Sequence, residues 1–257
     1  MSLAIHAEWT KFRTLTSNGW LLLAVVALTL ALSIAVLTAT TCTAAGCGDA
    51  ARISFSGVYL GQAVVAILAV MAVSGEYSTG MIRTTLSATP HRLTLFAAKA
   101  AVLIVLVLAA GVIAVLGSFF ASRIILPNNG FTETHGYQML SMADGSVLRA
   151  SIGSVCYLIL IALLSLGIAT AVRDSGAAIG VILGLLYLFP IITQMIKDPD
   201  WQRHLQQIAP MSAGLAIQAT VGLDDLPIAP WWGLAVLAAW AAAALVIGGW
   251  LLRRRDA

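Results

Sequence analysis

Six stretches of about twenty residues each, almost free of charge, constrain this chain's fold more than any other feature. They are residues 19–40, 56–74, 95–121, 150–172, 176–196 and 231–252. A helix rising 1.5 Å per residue needs about 20 apolar residues to cross a hydrocarbon core roughly 30 Å thick, and the six stretches approach or exceed that length. Strands of a membrane barrel alternate apolar and polar positions over about ten residues, whereas residues 100–110 are apolar all round. The chain is 60% hydrophobic and 10% charged, against about 25% charged in soluble domains, which argues against a water-soluble fold. A cleaved signal peptide does not suit the first stretch: its apolar run is too long, and no short core precedes a small-residue cleavage site.

Lysine and arginine collect in cytoplasmic loops, and their distribution orients the spans. With the amino terminus inside, nine of the 14 basic residues are inside: Lys11, Arg13, Arg83, Arg92, Lys99, Arg173, Arg253, Arg254 and Arg255. Arg52, Arg123, Arg149, Lys197 and Arg203 are then outside. The net charge of +3 reflects this topology and implies no nucleic-acid partner.

The connections carry further structure. Ile5, Trp9 and Phe12 recur at helical spacing while Glu8, Lys11 and Arg13 avoid that stripe, which predicts a helix over residues 1–18 lying on the inner membrane surface. A plain basic flank that fixes topology fits the same residues. The inner link of residues 75–92 has room for a short helix over 79–86, stopped by Pro90. Outside, connections are expected over 122–149 and 197–230, the second holding two short helical stretches at 201–208 and 210–221. Cys42 and Cys47 share the first outer loop, where a local disulfide and two free thiols are both open. No neighbouring His or Cys suggests a metal there.

Span five carries Gly176, Gly180 and Gly184 at four-residue spacing, a pattern that lets a helix approach closely. Pro190 is expected to bend the same span by loosening the bond to the Leu186 carbonyl. Tyr187, Pro190, Thr193 and Gln194 around that bend, with Tyr59 and Gln62 on span two, are the candidate pathway lining.

Missing chemistry narrows the function. The middle of each span lacks Asp, Glu, Lys, Arg and His, and Lys99 near an inner end is expected to snorkel. Proton-coupled carriers commonly place ionisable groups in the membrane. His6, His91, His135 and His204 lie in loops and form no metal motif, and no nucleophile turn or phosphate-binding Gly-rich loop is present. The inner pieces total about 46 residues in four fragments, near the size below which a domain seldom folds unaided. An ATP-driven activity would therefore need another chain. Thr220-Val221-Gly222 resembles the start of a potassium filter, but the match stops at Leu223 and Asp224.

The run from Glu76 through Gly80 to Arg83, followed by Leu86, Pro90, Arg92 and Lys99, resembles the coupling segment of bacterial type-2 ABC-transporter permeases. Residues 8–14 resemble their connecting helix, 172–176 their short inner turn and 254–257 a common ending. The resemblance implies an all-α membrane protein with six transmembrane helices, both termini inside. Residues 1–18 would be the interfacial connecting helix and 19–257 the permease domain. It further implies a coupling helix after span two and outer re-entrant helices before span six, where Pro210 and Gly222 suit a broken helix. Glu8, Lys11, Arg13, Glu76, Gly80, Arg83, Leu86 and Arg92 would then couple to two copies of an ABC ATPase subunit, which bind ATP and magnesium. The chain would pair with a second permease copy or a paralogue in the bacterial plasma membrane. The expected substrate is hydrophobic or amphipathic: a drug, an antibiotic peptide or a lipid. An ion channel or ion-coupled carrier working without an ATPase is the alternative.

The charge split predicts that a membrane-impermeant thiol reagent, applied to intact cells, labels a cysteine introduced at Asn129 and misses one at Ser87. The reverse pattern would invert the topology.

Overall fold

The computed structural model describes residues 2–14, 16–43, 47–78 and 92–254. Their regular elements are all helical: α1 Ser2–Thr14, α2 Thr16–Ala39, α3 Ala50–Ser54, α4 Val58–Ser78, α5 Arg92–Asn128 and α6 Gly145–Val172. There follow α7 Ser175–Leu183, a π-turn Gly184–Leu188, α8 Phe189–Met195, α9 Pro199–Ile208, α10 Pro210–Leu215 and α11 Pro230–Arg254. Six runs are long and apolar enough to cross a membrane: α2, α4, α5, α6, the α7–α8 run and α11. Large apolar side chains such as Leu23, Leu28, Val105, Ile113 and Val246 are exposed on them, as expected where the surroundings are lipid. Trp231 and Trp250 mark the two ends of α11. Nineteen residues at 1.5 Å place them about 28 Å apart, close to the depth of a hydrocarbon core.

The third span differs from expectation. Helix α5 continues past Ala121 to Asn128, with Pro127 in its final turn, and α6 begins at Gly145 rather than Ala150. The connection expected over 122–149 therefore shrinks to 129–144. The extension is held by packing, since Leu126 is buried with Leu37, Cys42 and Phe131 in a small apolar cluster of their own. Asn129 donates to the Leu37 carbonyl at 2.7 Å, so the exposed Thr134 is a better labelling position in that connection.

Helix α6 is the centre of the bundle, with buried positions from Val147 to Thr170. It packs against α4, α5 and α11. In a bilayer, apolar surface gains nothing by leaving lipid, so helices associate through close van der Waals fit. Such a fit occurs where α6 crosses α11. A Cβ added to Gly167 would sit 2.6 Å from the Ala244 oxygen, and one on Gly248 would sit 2.6 Å from the Gly167 oxygen. The glycine stripe expected to pack, in span five, behaves differently. A Cβ added to Gly180 or Gly184 would meet nothing within 4 Å, and one on Gly176 would meet only Asp174 Oδ1 at 3.5 Å. Close approaches within this chain therefore fall elsewhere: on spans four and six, and on spans one and two, where a Cβ added to Gly57 or Gly61 would run into Thr29.

Span five is interrupted by the π-turn immediately before Pro190. A regular α-helix would drive the proline ring into the Leu186 carbonyl, and a widened turn is a common accommodation of that conflict.

At the opposite end of the bundle from α1, Cys42 and Cys47 are joined by a disulfide. The Cys42 amide donates to the Asn129 carbonyl at 2.8 Å, and the Tyr137 hydroxyl donates to the Gly48 carbonyl at 3.1 Å. Asp49 gathers the remainder. Its Oδ1 accepts from the amides of Ala51 and Arg52, capping α3, and from the Thr220 hydroxyl at 2.7 Å. Its Oδ2 accepts from the Thr220 and Val221 amides. Thr220 and Val221 thus serve as anchors for the first loop.

Replacing Gly167 or Gly248 by Ala should force α6 and α11 apart and cost about 1–3 kcal/mol, read as a lower unfolding temperature of the purified monomer. Gly180→Ala should leave that temperature unchanged. Equal effects at both places would overturn this account of the packing.

Candidate functional site

The end of the bundle formed by α1, the carboxyl end of α4 and the amino end of α5 is built around one buried ion pair. Lys99 Nζ lies 2.7 Å from Glu8 Oε2 and 3.3 Å from the Ala72 carbonyl. Glu8 is 1% exposed and Lys99 5%. Lys11 approaches the other Glu8 oxygen at 3.1 Å from a partly exposed position. The pair ties three elements together: α1 through Glu8, α5 through Lys99 and α4 through Ala72.

Both residues depart from expectation. The helical stripe of α1 assigns Glu8 to the polar face, yet Glu8 is buried beside Phe12, with Ile5 and Trp9 packed at the core's edge. Lys99 does not snorkel outward; its ammonium points into the protein. The cause is mutual: each charge supplies the partner that makes the other's burial tolerable. The remaining face of α1, including His6, Thr10, Arg13 and Thr14, is exposed.

The same end collects other basic groups. Gly249 on α11 faces Leu93 and Phe96 on α5, which brings Arg253 and Arg254 to this end. Arg254 stacks over Trp250 at 4.5 Å. Arg173 sits in the left-handed region with φ 64°, and Asp174 caps α7 by accepting from the Ala177 amide at 2.7 Å. Glu76, expected in a loop, lies in the final turn of α4, and Arg92 opens α5. Gly80, Arg83 and Leu86 lie outside the described residues, as does the short helix expected over 79–86.

A polar seam occupies the bundle interior. The Tyr157 hydroxyl donates to Gln62 Oε1, and Gln62 Nε2 lies 3.3 Å from Met211 Sδ. The Tyr187 hydroxyl donates to the Tyr59 carbonyl, and the two rings meet edge-on at 5.6 Å. Gln218 Nε2 donates to Ser154 Oγ at 3.0 Å. Of the candidate lining residues, Tyr59, Gln62 and Tyr187 are brought together across spans two and five. Tyr59 and Gln194 are exposed, while Gln62, Pro190 and Thr193 are buried. Thr193 turns its hydroxyl onto the Pro190 carbonyl at 2.7 Å.

Sequence reasoning misses Tyr157, Gln218 and Asp49. Tyr157 stands in an apolar run with no local partner, and Gln218 and Asp49 acquire their partners from distant parts of the chain. A polar residue inside a span is the one available signal, because hydrocarbon leaves it no water to bond. Among the described residues no group of three or more His, Cys, Asp or Glu is placed to hold a metal.

These features define a class, the polytopic helical membrane proteins with an amphipathic helix anchored at one end of a six-span bundle. Residues 4–191 match the family model described as ABC-2 family transporter protein. The chain belongs to that family, a family of membrane subunits of transporters. The match runs from α1 into α8; beyond it, α11 packs back onto α6, and α9 and α10 pack onto α11. No curated protein matches the chain.

Removing one member of the buried pair, by Lys99→Met or Glu8→Gln, should cost about 3–5 kcal/mol, and the double variant should lose less than either single one. A double-mutant cycle of unfolding free energies in detergent measures the coupling. Purely additive losses would show that the pair does not hold α1 in place.

Proposed function

We propose that this chain is the membrane subunit of an ATP-driven exporter and forms the translocation pathway for a hydrophobic or amphipathic substrate. The observation that carries this reading is the anchoring of α1 on the bases of spans two and three in a chain of the ABC-2 family. A helix clamped by a buried ion pair moves with the spans it is clamped to. A push on the exposed face of α1, or on the segment after α4, would therefore reach α4 and α5 directly.

In this reading the α1 end faces the cytoplasm, in keeping with the nine basic residues assigned there. Two ATPase subunits dock against α1 and residues 76–92, and supply the ATP and magnesium chemistry that this chain does not provide. Arg13 and Arg83 offer charge to the partner, whereas Glu8 acts inside the chain as the positioning residue for α1. A second permease copy or a paralogue completes the pathway. The uncovered Gly180 and Gly184 leave room for a close neighbour, and Tyr59, Tyr187 and Gln194 line the passage. The bacterial plasma membrane is the proposed location, with α9 and α10 as the outer re-entrant elements.

Arg83→Ala and Glu76→Ala test the docking surface. Exposed ion pairs contribute about 0–1 kcal/mol and their loss would be nearly silent. Loss of one partner at a desolvated subunit interface costs roughly 2–5 kcal/mol. Each single variant should insert normally while losing ATPase pull-down, or uncoupling ATP hydrolysis from export, at matched membrane levels. Wild-type behaviour of both variants in all three assays would remove the docking assignment. Substrate flux by the chain alone in liposomes without ATP would favour a channel or carrier.

A further inference from the structure

A cavity of about 300 Å³ opens at the end of the bundle that carries the first loop, the lower end of the range for ligand pockets. Its walls are of two kinds. Leu32 and Val36 from α2 and Leu215 from α10 form an apolar side. Arg52 from α3, Ser56, Tyr59 from the start of α4 and Gln218 form a polar side, so the cavity adjoins the residues proposed to line the passage. Leu32 lies seven residues before the end of α2, so the apolar wall reaches about 10 Å into the span at 1.5 Å per residue. With α2 crossing the bilayer over its length, the cavity would straddle the level at which lipid headgroups give way to acyl chains.

Ser56 and Arg52 carry side-chain groups there with no internal use. Ser56 Oγ is buried and has no hydrogen-bond partner among the described residues. Arg52 is exposed, and among the described residues only its backbone amide is engaged, in capping by Asp49. The neighbouring carboxylate is occupied, because Asp49 accepts from Ala51, Thr220 and Val221 as well. Gln218 is fixed differently, with its amide nitrogen 3.0 Å from Ser154 Oγ. The polar side therefore offers a cation and a hydroxyl above an aliphatic wall.

We infer that this cavity seats an anionic amphiphile drawn from the adjoining leaflet, its phosphate or carboxylate on Arg52 and Ser56 and its acyl chain along Leu32, Val36 and Leu215. A guanidinium forks onto such oxyanions through paired N–H donors, and the buried hydroxyl gains the acceptor it lacks. A zwitterionic lipid fits the apolar wall equally but carries its own cation to the Arg52 side. Binding here does not depend on whether the chain pairs with an ATPase, and is measured without ATP.

The test uses the full chain in a neutral detergent, titrated with phosphatidylglycerol or phosphatidylcholine of identical acyl chains and read by native mass spectrometry. One phosphatidylglycerol should be retained about five-fold more tightly than phosphatidylcholine, as expected for one basic residue at an anionic surface. Arg52→Gln should abolish the preference and Arg52→Lys should keep most of it. Val36→Trp should fill the cavity and release both lipids, with an unchanged unfolding temperature showing that the fold persists. Soluble glycerol phosphate should fail to compete. Equal retention of the two lipids, an undiminished preference in Arg52→Gln, unaltered binding in a folded Val36→Trp, or competition by glycerol phosphate would each overturn the assignment.

Discussion

Hydrocarbon offers no hydrogen bonds, and most of this structure follows from that deprivation. A backbone amide or hydroxyl inside the bilayer must find its partner within the protein. Helices meet the demand for the backbone. Hydroxyl side chains on the spans meet it by bonding backward along their own helix, as Thr29, Ser74, Ser151, Ser165 and Thr170 do with carbonyls four residues earlier. Where a side chain is too long for that, the bundle supplies a partner from elsewhere. Gln62 takes the Tyr157 hydroxyl across the α4–α6 interface, and Ser118 reaches Ser33 at 3.0 Å from α5 to α2. The same demand explains why Glu8 and Lys99 enter the interior together. Either charge alone would be left there with nothing to solvate it.

The number and order of the spans are legible in the sequence because length and apolarity are local properties, summed over about twenty neighbouring residues. The family is legible too, through short motifs in a fixed order. What escapes is whatever depends on a distant partner. Glu8 reads as a polar-face residue until Lys99, ninety-one positions away, is brought beside it. The glycines at 176, 180 and 184 show a regular spacing, while Gly167 and Gly248 do not share a local pattern, yet the second pair makes a close crossing in this chain and the first set does not. Pro190 announces a disturbance in span five, but its form as a π-turn depends on neighbours that the sequence does not display. The candidate site is legible in the composition of its segments and illegible in the direction each side chain takes.

The two ends of the bundle are built on different principles. At the α1 end, a charged pair is withdrawn into the protein and clamps three helices, leaving exposed basic groups around it. At the far end, a disulfide, a short capped helix and the Asp49 hydrogen bonds hold loops to one another. The first arrangement couples helices that can move as a unit. The second fixes a cap against which such movement would take place, while the polar seam of Gln62, Tyr157 and Gln218 lies between them.

Asp49 also sets an order of events during synthesis. Its partner Thr220 lies 171 residues later in the chain, a delay of roughly 10–30 s at about 5–20 residues per second. Throughout that interval the carboxylate has only the amides of its own short helix to occupy it. The cap therefore closes late, once five of the six spans have been made, and a ribosome that stalls before Thr220 leaves behind a bundle whose first loop is still unlatched.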